Sequence, residues 1–195
     1  NAGTTNQGVS ATAIGVNAGS TSQGESSIAI GPAAGNNTQG INAVAVGNSA
    51  GQTNQGASAV AVGVLAGYGD PNDPTKGQGA DAVAIGNAAG QTAQSANAVA
   101  IGKAAGTSGQ QANAIAIGQD AGTLNQQPHS IAIGTSAGVV NQGANGIIIN
   151  SSGGAVNSTD AGHIVLRSSA GYLSLNPAAS TWQFSGGDVT VPNDS

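Results

Sequence analysis

Along this chain apolar residues alternate with small ones in short bursts, and each burst ends on glycine. The stretch from Asn42 to Ser58, NAVAVGNSAGQTNQGAS, shows the unit: alternation, a glycine, a polar turn and a fresh start. Period two predicts a strand, with Val44 and Val46 on one side and Ala43 and Ala45 on the other. The unit returns as ESSIAIGPAAGNNTQG, ADAVAIGNAAGQTAQS and ANAIAIGQDAGTLNQQ. Its closing glycine falls at Gly15, Gly31, Gly47, Gly63, Gly86, Gly102, Gly118 and Gly134. The step is 16 throughout, except between Gly63 and Gly86, where it is 23, or 16 plus a 7-residue insertion. A second glycine, from Gly19 onward, and a glutamine column, Gln7 to Gln142, keep the same register. Three columns across about nine copies mark one small unit stacked along an axis.

A 16-residue unit with one strand, glycine corners and a polar return fits one coil of an all-β solenoid; helical repeats are about twice as long. Stacking turns each column into a ladder. One aliphatic ladder runs from Ile28 through Val44 and Val60 to Ile147, and its twin from Ile14 through Val46 and Val62 to Ile149. Both are expected to fill the inside of the coil, each buried side chain contributing roughly 1.5–3 kcal/mol. At about 4.8 Å per coil, nine coils make a rod on the order of 40 Å long. The residue between the two aliphatics is alanine in eight copies: Ala13, Ala29, Ala45, Ala61, Ala84, Ala100, Ala116 and Ala132. With the aliphatics inside, this stripe faces outward. A water-facing strand usually carries polar residues there, so the stripe reads as a packing face between identical chains. The plainer reading is a flat, half-exposed sheet.

Composition narrows the function. Charged residues make up 6% of the chain and aromatics 2%, and Lys76, Lys103 and Arg167 are the only strong bases in a net charge of −5. No basic stripe can neutralise phosphates, which argues against nucleic acid and against an anionic membrane surface. No apolar run approaches a membrane span. Cysteine is absent, which excludes disulfides and thiolate metal sites. The chain opens without Met or a leader and reads as a fragment or processed piece.

The motifs NAVAVG, NAVAIG and NAIAIG, followed by AG and QG, resemble the head repeats of trimeric bacterial adhesins, over residues 1 to about 150. Those heads are left-handed parallel β-rolls wound three to a bundle, mostly at a period of about fourteen. The 16-residue form with AGQTNQG is similar to repeats in fibre proteins of phages and large viruses. GIIINSSGGAVNSTDAGHIVLRS, from Gly146, resembles the exit from such arrays, and STWQFSGGDVTVPNDS the short β segments of phage tail fibres. The resemblance implies a homotrimeric, extracellular fibre segment that carries or forms a surface for a host-cell receptor, a glycan among the candidates. A bacterial adhesin head is the alternative. An ice-binding solenoid is a distant third, because the flat threonine rows of such proteins are missing.

The repeat is expected to occupy 1–150, with the insertion at 68–75, and a short-stranded β segment to occupy 151–195. There IVLR, YLSL, WQFS and DVTV read as four strands between turns, and Trp182 and Phe184 share one face as core or interface. No catalytic set emerges. His129 replaces Asn, Ser or Asp in a turn slot, His163 lacks a Ser–His–acid arrangement, and Glu25 is the only Glu, so no carboxylate pair for glycoside hydrolysis stands out. The reading is of a non-enzyme without cofactor or metal. Recognition is placed on the loop GYGDPNDPTKGQG, with Tyr68, Asp70, Asn72, Asp73 and Lys76 as binding residues. Asp70, Asn72 and Asp73 offer oxygens, but not at the spacing of an EF-hand. The Asn and Gln rows of NQG and QTNQG either hydrogen-bond sugars or form turn ladders that only solvate the rod.

Overall fold

The computed structural model describes residues 1–185. The chain winds into a parallel β-solenoid of about ten turns at the 16-residue spacing. Each turn places one short strand in a long sheet: Thr12–Ile14, Ile28–Ile30, Val44–Val46, Val60–Val62, Val83–Ile85, Val99–Ile101, Ile115–Ile117, Ile131–Ile133, Ile147–Asn150 and Ile164–Arg167. Equivalent positions stack directly, so Val44 pairs Val60 and Ala45 pairs Ala61. The 7-residue insertion leaves that register intact, with Val60 opposite Val83. On the return side, Thr5–Gln7, Thr21–Gln23, Asn37–Gln39 and Thr53–Gln55 form a second, four-stranded sheet. Single bridges carry it onward, from Gln78 to Gln94 and from Thr92 through Ser108 and Leu124 to Val140.

The coil is inside-out relative to the expectation from hydropathy. The alanines Ala29, Ala45, Ala61, Ala84, Ala100, Ala116 and Ala132 are fully buried, and only Ala13, in the first turn, is partly exposed. They pack against a second buried column, Ala18, Ala34, Ala50, Ala66, Ala89, Ala105, Ala121 and Ala137. The packing-face role expected for Ala13 to Ala132 is therefore wrong: these methyls already fill the core of their own chain. The Val and Ile ladders, expected inside, lie on the outer face, where Ile14 is 58% and Ile85 39% exposed. The reason is width. A Cβ built on Gly106 would stand 2.6 Å from Gln110 Oε1 and 3.1 Å from the Cβ of Ala100, so with a glutamine inside the coil the cross-section has no room for a branched side chain.

What fills the remaining space is glutamine. Gln23, Gln39, Gln55, Gln78, Gln94, Gln110, Gln126 and Gln142 are at most 2% exposed. Each Nε2 donates to the carbonyl of the strand residue across the coil, as from Gln55 to Val44 (2.8 Å) and from Gln110 to Val99 (2.9 Å). From Gln39 to Gln126 each Nε2 also donates to the next Oε1 up the rod, at 3.1 Å from Gln39 to Gln55 and 3.3 Å from Gln126 to Gln142. An amide has both donors and acceptors, so from Gln55 onward the stacked column satisfies itself where a hydroxyl or methyl could not, while the buried Oε1 atoms of Gln23 and Gln39 at its start accept no hydrogen bond among the described residues. These residues are neither a solvating turn ladder nor a sugar platform.

The two glycine columns now have causes. Gly51 sits at φ +52, and a Cβ there would lie 2.7 Å from the Gln55 amide, so glycine makes room for the buried glutamine. Gly47 has φ +133, and a Cβ would stand 2.5 Å from the carbonyl oxygen of Gly63 in the next coil. The slot before each strand, Asn42, Ser58, Asp81, Asn97, Asn113, His129 and Asn145, is left-handed, with φ of 54–59 in every copy from Ser26 to Asn145. That conformation favours Asn, Asp and His and explains His129.

The rod does not break at residue 150. Ile147–Asn150 pairs in parallel with Ile164–Arg167, one turn of 17 residues later. The sheet then changes direction: Tyr172–Asn176 and Thr181–Ser185 add as an antiparallel hairpin and complete twelve strands. Three of the four expected strands are thus present, and DVTV lies outside the described residues. In this exit turn Ile148, Val156 and Val165 replace the core alanines, and Ser158 takes the glutamine position. His163 lies within hydrogen-bond distance of both Ser158 Oγ and Ser174 Oγ (2.6 Å to the latter), tying the last coil to the hairpin. Asn150 replaces the closing glycine and is buried. Its Nδ2 donates to Thr135 O and Gly154 O, both at 2.7 Å, and its Oδ1 accepts from Ser152 N (3.0 Å) and Ser152 Oγ (2.7 Å).

Candidate functional site

The insertion leaves the rod later than its sequence suggests. Tyr68 still belongs to the coil, its carbonyl accepting from Thr53 N–H (3.0 Å), and Gly69 N–H donates to Gln91 O (2.8 Å). The chain lifts off at Asp70 and returns at Gly77, so the extra residues are Asp70–Lys76, not 68–75. Of the five expected binding residues, Asp70, Asn72, Asp73 and Lys76 stand together on this arch, while Tyr68 remains half-buried in the coil.

The acidic groups of the arch are committed to its own turns. Asp70 Oδ1 accepts from Asn72 N–H (2.9 Å). Asp73 caps the single 3₁₀ turn Pro74–Lys76, its Oδ1 accepting from Thr75 N–H (3.1 Å) and Thr75 Oγ1 (2.6 Å). Its Oδ2 pairs with Lys76 Nζ at 3.3 Å. The Thr75 hydrogen bonds, with a smaller contribution from Lys76, hold the Asp73 carboxyl below its ordinary range. Among the described residues no three His, Asp or Glu side chains gather as metal ligands would.

Behind the arch is an open hollow of about 300 Å³. Asn54 closes one side and is tied to the arch by its Nδ2, which donates to Pro74 O (2.9 Å). Pro74 and Thr75 form the arch wall, Gly77 and Ala93 the floor, and Ser95 and Ala96 the far side. The position occupied by Asn54, Asn125 and Asn141 holds Gly77, Ala93 and Gly109 in the three coils between. Where asparagines do follow one another they stack, Asn125 Nδ2 donating to Asn141 Oδ1 at 3.0 Å. Of the three small residues, Gly77 and Ala93 line the hollow beside the insertion. Asn54, Ala93 and Ser95 lie outside the inserted segment, so the insertion by itself does not point to them.

The other feature of note is the outer face of the long sheet. One column reads Ile28, Val44, Val60, Val83, Val99, Ile115, Ile131, Ile147, Ile164 and Leu175; the other reads Ile14, Ile30, Val46, Val62, Ile85, Ile101, Ile117, Ile133, Ile149, Leu166, Leu173 and Phe184. Trp182 stands opposite Leu175 in the register. Phe184, expected as core or interface, is 50% exposed. At about 4.8 Å per strand and two side chains across, this stripe covers on the order of 400 Å², in the range of the largest apolar patch of a typical monomer, which is often functional. A comparison with family models, curated proteins and solved structures finds no match to this chain.

Proposed function

We propose that this chain is a rod-forming segment of a homotrimeric extracellular attachment fibre, of the kind viruses use to engage a host-cell surface. One observation carries the reading: two apolar columns on the outer face run side by side without a gap from Ile28 to Leu175, and one of them continues to Phe184. It survives the loss of the glutamines, of the closing glycine and even of parallel pairing in the hairpin. A stripe kept only for the coil's own packing would have no reason to outlast the coil. Burying it against copies of the same chain removes the apolar surface from water along the full rod. The strand motif suits a bacterial adhesin head equally; the 16-residue step favours the viral fibre.

The test is assembly. The unmodified protein is expected to sediment as a trimer. Val46→Lys, Val62→Lys and Ile101→Lys together are expected to give monomers with the same β-type circular dichroism, because these side chains lie outside the core. A stable monomer of the unmodified protein at micromolar concentration would defeat the proposal.

A further inference from the structure

The hollow behind the arch brings together three departures from the repeat that are distant in sequence. The insertion Asp70–Lys76 supplies a wall. Gly77 and Ala93 replace asparagine on the floor. Ser95 is the first residue to replace the glycine that Gly24, Gly40, Gly56 and Gly79 place here in earlier coils, and Gln111 and Gln127 follow it in the next two. A neutral spacer coil gains nothing from any one of these, and their convergence on one 300 Å³ hollow points to a ligand. We propose that this hollow binds a neutral saccharide unit, a proposal that rests on the attachment reading above and names its ligand class.

The chemistry of the wall selects that class. Among the described residues no charged side chain lines the hollow, and the nearby Asp73 and Lys76 neutralise each other at 3.3 Å. An anionic or cationic ligand would lose hydration without finding a countercharge. The polar groups are short and uncharged: the Asn54 amide, the Thr75 hydroxyl and the Ser95 hydroxyl, which has no hydrogen-bond partner among the described residues. The buried Gln78 and Gln94 beneath are already paired with each other, Nε2 to Oε1 at 3.1 Å, so the floor is firm and makes no further demand. The Pro74 ring and the methyls of Ala93 and Ala96 offer small apolar patches. Hydroxyl-sized polar contacts interleaved with C–H contacts match the edge and face of a pyranose. The hollow lacks the deep apolar socket that would anchor a peptide side chain. Affinity per site is weak for want of an aromatic platform, and repetition of the site on three chains raises avidity without new contacts.

The experiment titrates the ¹⁵N-labelled chain with maltose, cellobiose and N,N′-diacetylchitobiose, with triglycine as the peptide control. At least one disaccharide is expected to give saturable amide shifts confined to Asn54, Thr75–Gly79 and Ala93–Ala96. Ala93→Asn restores the residue used elsewhere in the column, suits the left-handed backbone there (φ 56), and so keeps the fold while filling the floor. It is expected to weaken the sugar at least tenfold. Excision of Asp70–Lys76, joining Gly69 to Gly77, is expected to abolish the shifts with the solenoid intact. The proposal is overturned if none of the three sugars shifts these amides, if Ala93→Asn binds as well as the original, or if triglycine binds the hollow more tightly. The titration uses neither cells nor assembly. Its failure therefore removes the saccharide site and leaves the fibre reading standing, whereas a monomer in the assembly test removes the fibre reading alone.

Discussion

The repeat array and its exit turn solve the same packing problem with opposite materials. In the array the strand centre is alanine, and the opposite wall sends a glutamine into the coil, as Ala132 and Gln142 do. One turn later Ile148 occupies the strand centre, Val156 replaces the second alanine and Ser158 replaces the glutamine. Bulk has moved from the polar wall to the sheet, and the interior stays filled. The polar accounting moves with it. The glutamine amide served two carbonyls and its neighbour, as Gln126 does for Ile115 (2.8 Å), Ser130 (3.3 Å) and Gln142 (3.3 Å). After the ladder stops, Asn150 and the Ser158–His163–Ser174 chain satisfy the end of the coil instead. The lesson is that a thin solenoid is specified by interior volume and buried hydrogen bonds together. The array uses a solution that can be copied indefinitely. The exit uses one that ends it, since a side chain as short as serine cannot extend the amide ladder.

If that account is right, the largest effect should come from the ladder. Gln110→Ala leaves a cavity and strips partners from Val99 O, Ala114 O and the Gln94 amide. At about 1–3 kcal/mol per buried group left unpaired, a loss near ~4 kcal/mol is expected from denaturant melts. Ser158→Ala, at the same position in the exit turn, should cost only about 1 kcal/mol. Equal losses would show that the amide column is not the array's distinguishing support.

Next comes the exchange of volumes. Ala100→Ile should destabilise by about 3 kcal/mol through overpacking, and Ile148→Ala by a similar amount through a cavity. Pairing Ala100→Ile with Gln110→Ser, which copies the exit pattern into the array, should cost clearly less than the sum of the two single changes, measured as a double-mutant cycle. Strict additivity would refute the exchange of bulk between the two walls.

The smallest effect belongs to the arch, which lies outside both cores. Because the folded pKa of Asp73 lies below its unfolded value, the stability it contributes is present above that value and is lost as pH falls through the lowered one. Acidification below the ordinary carboxylate range should therefore broaden the amide signals of Asp70–Lys76 first. Asp73→Asn should remove that acid response while leaving melts of both regions unchanged. Simultaneous loss of arch and array signals would tie the arch to the core after all.

Much of this was legible in the residues. The period, the stacking, the parallel strands, the lack of register loss across the insertion and the change of character after Gly134 all follow from counting columns. The insertion was visible to within two residues; its true limits depended on Tyr68 and Gly69 keeping their backbone bonds to neighbouring coils, which spacing cannot reveal. The hollow beside it was recoverable from the small residues Gly77 and Ala93 that follow Asn54 in one column, but only once those residues were known to stack.

Period two by itself determined that alanines would occupy one face of each strand and Val or Ile the other. Only the tertiary structure decided which face turned inward. Hydropathy favours burying the larger aliphatic, and that preference would govern a wide core. A coil closed in 16 residues brings its walls so near that, with Gln110 inside, a Cβ built on Gly106 would stand 3.1 Å from the Ala100 methyl. In that space alanine and one planar amide fit and isoleucine does not. Steric exclusion thus overrode the hydrophobic gain of about 1.5–3 kcal/mol per side chain, and the aliphatics were placed on the surface.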